Sequence, residues 1–194
     1  MSKVYVLFAA LLCVALSSAA QKQLLPSSAG LRYSEQVSNG PAGSCGCFTM
    51  QGMAADSTWT IRQLPSGGIL NLTGDFGLEN TPNIHGDGYG LTLTTYTAGP
   101  RFTFATPSSH PFVQALFGLA HGTDSEFPSS GNNLKTSANS FALDLSAGLD
   151  YTVLHHLSLR VAQVDYLRTA LPNNSNNWQN NLRISAGITL RFQH

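Results

Sequence analysis

The chain has 194 residues, enough for one domain of ordinary size. Only 10% of its residues are charged, with three Lys and three Glu, so the charged coat of a typical soluble domain is missing. Its formal net charge is zero, which excludes an electrostatic case for a nucleic-acid partner or a basic membrane-surface patch.

The first segment addresses the chain. Lys3 supplies a positive start, residues 4–16 form an unbroken apolar run, and Ser17-Ser18-Ala19-Ala20 offers small side chains to a signal peptidase. This pattern reads as a secretory signal peptide over residues 1–20, exported through the Sec pathway. The run is too short for a membrane anchor, which needs about 20 apolar residues. Leu12 before Cys13 argues against a lipoprotein signal. No later segment is long and apolar enough to be a membrane helix. The mature chain is therefore either soluble in an exported compartment or a β-barrel.

Residues 21–44 are rich in Ser, Gly, Gln and Pro, with a weak strand candidate at 31–37 and a first long connection at 38–46. The barrel body is expected over 45–192, where apolar and polar residues alternate in period two. In 53–62, Met53, Ala55, Trp59 and Ile61 oppose Ala54, Asp56, Thr58 and Arg62. In 68–79, Leu70, Leu72, Phe76 and Leu78 oppose Asn71, Thr73, Asp75 and Glu79. Segment 88–105 is long, and its apolar phase shifts near Gly99-Pro100, predicting a bulge or bend. Segment 111–121 is apolar on both faces. Segment 139–151 alternates again, and 157–169 loses phase near Gln163. The cleanest stretch is the last: Leu182, Ile184, Ala186, Ile188, Leu190 and Phe192 alternate with Asn181, Arg183, Ser185, Thr189 and Arg191.

Short connections (64–67, 106–110, 153–156) alternate with long ones (80–87, 122–137, 170–177). Bacterial barrels have an even strand number, short periplasmic turns and long outside loops. The expectation is an all-β, eight-stranded antiparallel up-and-down transmembrane β-barrel. Residues 31–37 form its first strand, and both termini lie in the periplasm. A soluble exported β-sandwich is the rival reading, but its strands average about 5–6 residues against about ten or more here. Aromatics near strand ends, Trp59, Phe76, Tyr89, Phe104, Phe112, Tyr151, Tyr166, Trp178 and Phe192, fit interfacial girdles. Lone charges of both signs on the polar face fit a narrow interior, where buried charges must pair. The expected inward set is Asp56, Arg62, Asn71, Asp75, Arg101, Asp144, Asp150, Arg160, Arg183 and Arg191.

The segments Gly99-Pro100-Arg101, Pro111-Phe112-Val113-Gln114-Ala115-Leu116-Phe117-Gly118, Val164-Asp165-Tyr166-Leu167-Arg168-Thr169 and the run from Gln179 to Phe192 resemble small outer-membrane barrels of the OmpA-transmembrane and OmpX type, in their acidobacterial form. The resemblance runs from Cys45 to Phe192 and is most specific in the last stretch. It implies an eight-stranded monomer in the outer membrane, in contact with lipid and delivered by the barrel-assembly machinery. Phe192 stands where such families carry the terminal aromatic that this machinery reads.

Chemistry-bearing motifs are sparse. Cys45-Gly46-Cys47 suggests a loop disulfide or thiol pair. His85 with Asp87, or His121 with Asp124, could form a rim site, but neither carries a recognisable motif. No cofactor, metal or catalytic set is expected. The expected role is non-enzymatic: envelope integrity or surface interaction through the loops, with the interior plugged by charged side chains. A narrow pore or hydrophobic-solute conduit of the OmpW type is the alternative, supported by the doubly apolar segment 111–121.

Overall fold

A computed structural model describes residues 27–39, 47–65, 67–84, 89–104, 106–128, 134–172 and 177–192. The signal-peptide reading, Cys45, His85 and Asp87 fall outside these residues. Eight antiparallel strands follow one another around a closed ring: β1 (Ser28–Asn39), β2 (Cys47–Gln63), β3 (Gly68–Thr81), β4 (Leu91–Phe104), β5 (Ser109–Pro128), β6 (Leu134–Leu154), β7 (Leu157–Thr169) and β8 (Gln179–Arg191). The weak candidate at 31–37 becomes a full strand, because β1 pairs on one side with β2 and on the other with β8. That pairing closes the ring, so the sheet has no edge strand.

The ring is inside-out relative to a soluble protein. Leu31, Tyr33, Val37, Leu78, Tyr96, Val113, Phe117, Leu119, Leu145, Leu159, Leu182, Ile184 and Ile188 face outward and are exposed. Arg32, Ser34, Gln36, Asp56, Asp75, Glu79, Arg160 and Arg183 face inward and are buried. The period-two geometry of a strand makes this partition automatic once register is set.

Four departures from the sequence pattern have structural causes. The phase change near Gly99-Pro100 is not a bulge. Strand β4 pairs with β3 in one continuous register from Phe104 to Leu91. The pattern changes there because inward positions become apolar at Leu93. Segment 111–121 is apolar on both faces for the same reason, since Phe112, Leu116 and Ala120 point into the lumen. Phe112 is therefore buried inside and belongs to no outer girdle. The loss of phase near Gln163 is a register shift between Arg160 and Gln163 against β8. The stretch 122–137, read as a connection, is largely strand: β5 runs to Pro128 and β6 begins at Leu134. Pairing of β5 with β4 stops at Thr123 and pairing of β6 with β7 starts at Ala142, so the β5–β6 ribbon projects past its neighbours. A ribbon in water needs no apolar face, which is why its sequence reads as loop.

Candidate functional site

The lumen is the only part of the barrel where ionisable groups converge among the described residues, and it has three layers. The middle layer is set by register. Asp56 and Asp75 lie opposite each other on β2 and β3, a like-charge pair that is unfavourable unless a cation joins it. Arg32 on β1 does so, donating from Nη1 to Asp56 Oδ1 at 2.7 Å and from Nη2 to Asp75 Oδ2. Two more pairs come directly from cross-strand neighbours. Arg183 donates from Nε to Asp165 Oδ2 at 2.7 Å, and Arg160 donates from Nε to Asp150 Oδ1 at 2.7 Å and from Nη2 to Asp150 Oδ2 at 3.1 Å.

Two hubs tie these pairs across the ring. Asp56 receives Arg32, Arg160 at 2.5 Å and Arg101 at 3.4 Å. Arg183 is the mirror case, with Asp165 at 2.7 Å, Asp144 at 2.9 Å, Glu79 at 3.1 Å and Asp75 at 3.7 Å. Asp75 belongs to both hubs. Gln114 accepts from Arg101 Nε at 2.7 Å and donates to Ser146 at 3.3 Å, so every strand contributes to the layer. The Phe112 ring has two guanidinium groups over it, Arg101 at 4.3 Å and Arg160 at 5.0 Å from its centroid, both in cation–π range.

Small inward residues make room for these long side chains. A Cβ built on Gly30 would sit 2.6 Å from Asp56 Oδ1, and one on Gly77 would sit 2.7 Å from Arg183 Nη1. The two hubs therefore occupy space that any larger residue at 30 or 77 would claim.

Toward the long connections the lumen turns apolar. Met50, Leu93, Ala120, Phe127, Ala142, Leu167 and Leu171 form one buried cluster, with Phe48, Leu91 and Ala138 packed against it. Phe127 comes from the projecting end of β5, just past a register shift between Thr123 and Phe127, and folds back over the lumen. A pocket of about 230 Å³ lies above this cap, lined among others by Ile84, Tyr89, Glu126 and Leu171. Toward the short turns the lumen widens into a cavity of about 460 Å³, lined by Thr60, Asn71, Thr103, Thr152, His110 and Arg191 among others.

The expected inward set divides as follows. Asp56, Asp75, Arg101, Asp144, Asp150, Arg160 and Arg183 meet in the middle layer. Asn71 lies beside it, accepting from Thr60 at 3.1 Å and donating to Thr103 at 3.2 Å. Arg191 sits at the turn-end mouth, outside the ion pairs of the middle layer, donating to Thr152 Oγ1 at 2.7 Å with its Nη2 2.6 Å from His110 Nε2. Arg62 is a correction. It is exposed, because a register shift between Thr60 and Arg62 breaks the alternation that would have turned it inward. Sequence reasoning omitted Arg32, Glu79 and Asp165 from the set. The alternation of Arg32, Ser34, Gln36 and Ser38 against Leu31, Tyr33 and Val37 carried the signal for Arg32. Asp165 becomes inward only when counting restarts at Gln163.

Other candidates do not assemble. His121 lies 2.6 Å from Asn139, and the Asp124 carboxylate accepts from Thr123 at 3.2 Å. Cys47 is exposed at the start of β2, with Cys45 outside the described residues. Phe192 is exposed just beyond β8, and its N–H donates to the Ser27 carbonyl at 2.8 Å. Among the described residues no group of three or more His, Cys, Asp and Glu is placed to hold a metal ion.

No protein-family model and no curated protein matches the chain. Solved structures do. The chain is similar to Neisserial surface protein A (NspA), with 15% identity, a TM-score of 0.61, and coverage of 85% of this chain and 96% of that one. It is also similar to Ail, the attachment invasion locus protein of Yersinia pestis, with 15% identity, a TM-score of 0.55, and coverage of 87% and 100%. At these identities the likeness shows the fold: an eight-stranded, up-and-down antiparallel barrel of the kind found among small outer-membrane proteins.

Proposed function

We propose that this chain is a non-enzymatic outer-membrane barrel whose interior is a structural plug and whose loop end carries an envelope or surface-interaction role. The carrying observation is the inverted partition: a closed ring with an apolar outer face and a buried charged interior tied across the ring by ion pairs. Water would meet that outer face at high cost, whereas hydrocarbon chains match it. Strands of 12 to 21 residues exceed the length of about 9–11 that a tilted crossing requires.

The connections support one orientation. The turns at 64–67 and 155–156 are short, and the chain's first and last described residues lie at that same end. This end belongs in the periplasm and the projecting β5–β6 ribbon outside. NspA and Ail are named for the neisserial surface and for attachment and invasion, and a surface role for the loop end of this chain is the corresponding reading. A through-pore is disfavoured, since an eight-stranded interior is just wide enough for side chains to fill it and these are tied by ion pairs.

The test is direct. The mature chain is refolded in detergent and run on a gel with and without boiling, then placed in planar bilayers. A mobility change on boiling, without discrete conductance steps, is the expected outcome. A chain that stays folded and soluble without detergent would sink the membrane reading, and steady ion conductance would sink the plug.

A further inference from the structure

We infer that the turn-end cavity of the lumen is a binding site for a small oxyanion, a carboxylate or phosphate group, entering from the side of the short turns. Positive charge around this cavity is under-compensated. Arg191 lines the cavity, and among the described residues its guanidinium donates only toward Thr152 and His110 and enters no ion pair. Arg101 reaches the floor of the same cavity. It shares Asp56, at 3.4 Å, with two arginines that sit closer, at 2.7 Å and 2.5 Å, and its buried Nη2 donates to nothing.

One carboxylate, that of Asp150, lines the cavity, and it is already committed. Both oxygens of Asp150 accept from Arg160, at 2.7 Å and 3.1 Å. The remaining polar walls are mostly hydroxyls with one amide, among them Ser28, Thr60, Thr103, Thr189 and Asn71, while Ile69, Pro107, Phe112 and Phe192 add apolar surface. Hydroxyl and amide walls with a guanidinium at the mouth and another at the floor suit an anion with several acceptor oxygens. Arginine's planar fork binds carboxylate and phosphate through paired N–H groups. A volume of about 460 Å³ admits such a group with part of the molecule that bears it. The opposite end of the lumen provides the contrast, since its pocket is walled mainly by apolar residues such as Leu91, Leu93 and Phe127.

This site does not depend on which side of a membrane the turn end faces; the periplasmic assignment above only says from where the anion arrives. The experiment uses the refolded mature chain in zwitterionic detergent. Sodium phosphate and sodium acetate are titrated separately at constant ionic strength held with chloride, reading backbone and arginine side-chain NMR signals. The expected result is saturable shifts of Thr103, Thr152 and the Arg101 and Arg191 side chains. Preference between the two salts assigns the site to phosphoryl or carboxylate ligands. Arg191→Gln should weaken binding about tenfold or more, the loss expected for a charged hydrogen bond. Arg62→Gln, outside the cavity, should leave it unchanged. In unmodified protein, chloride alone should give no saturable shift. Linear shifts with both salts, equal shifts with chloride, or equal affinity in Arg191→Gln would each overturn the site. The boiling-dependent gel shift reports the barrel separately, so failure of the site and failure of the fold reading remain distinct.

Discussion

The middle and the loop-end cap of the lumen are built on successive inward positions of the same strands, with opposite chemistry. On β2 the inward series runs from Asp56 through Ala54 to Met50, on β6 from Asp144 to Ala142, and on β7 from Asp165 to Leu167. One layer is held by ion pairs that must all be satisfied at once, the other by contact between apolar side chains. The two respond differently to damage. Removing an apolar side chain forfeits its burial and leaves a void whose walls can relax. Removing one ion from a buried network strands its partners without compensation.

The sharpest test of that contrast is Arg183→Leu. Four carboxylates converge on this guanidinium, and its side chain is fully buried. Loss of about 3–5 kcal/mol of stability is expected, read from the urea midpoint in detergent. No conductance should appear, because the Asp56 hub and the apolar cap still obstruct the lumen. A midpoint within experimental error of the parent would mean that the plug is dispensable to the fold.

Phe127→Ala probes the other layer. The ring is buried in the cap, but it arrives from the projecting ribbon, whose outer edges pair with neither β4 nor β7. A loss of about 3 kcal/mol is the expectation, at the low end for truncating a buried Phe. If this variant proved more damaging than Arg183→Leu, the cap rather than the network would be the layer that holds the barrel closed. Gly77→Ala asks how tightly the network is seated. The new Cβ would meet Thr95 Oγ1 at 2.6 Å and Arg183 Nη1 at 2.7 Å. Arg183 is pinned by its acids and cannot swing aside freely, so overpacking should cost about 1–3 kcal/mol. A neutral result in the same urea melt would show slack around the hub.

The contrast also explains what could be read from the chain. Where an inward face is polar, as in β3 and β8, apolar residues recur at every second position and strand, face and site residue are all visible. Where the lumen turns apolar, at Leu93 on β4 and at Phe112, Leu116 and Ala120 on β5, the alternation vanishes although the backbone is regular. The first case imitated a bulge, and the second resembled a conduit wall. Ring closure through β1 followed from counting strands. The partners of Arg183 did not, because Glu79 and Asp144 reach it across the lumen and no local pattern encodes such distances.

The smallest effect is the one expected of Arg62→Gln. Alternation alone places Arg62 inside with Asp56 and Thr58, and an arginine lost from that layer would resemble the loss of Arg183. The register shift after Thr60 instead leaves Arg62 exposed near the end of β2, outside every ion pair of the lumen. Exposed substitutions away from special features change stability by less than about 0.5 kcal/mol. The urea midpoint should therefore match the parent, and the boiling-dependent gel shift should be unaltered. A loss near that of Arg183→Leu would place Arg62 back inside the ring. It would also move the end of β2 by one residue and redraw the turn-end wall formed by Thr60 and Asn71.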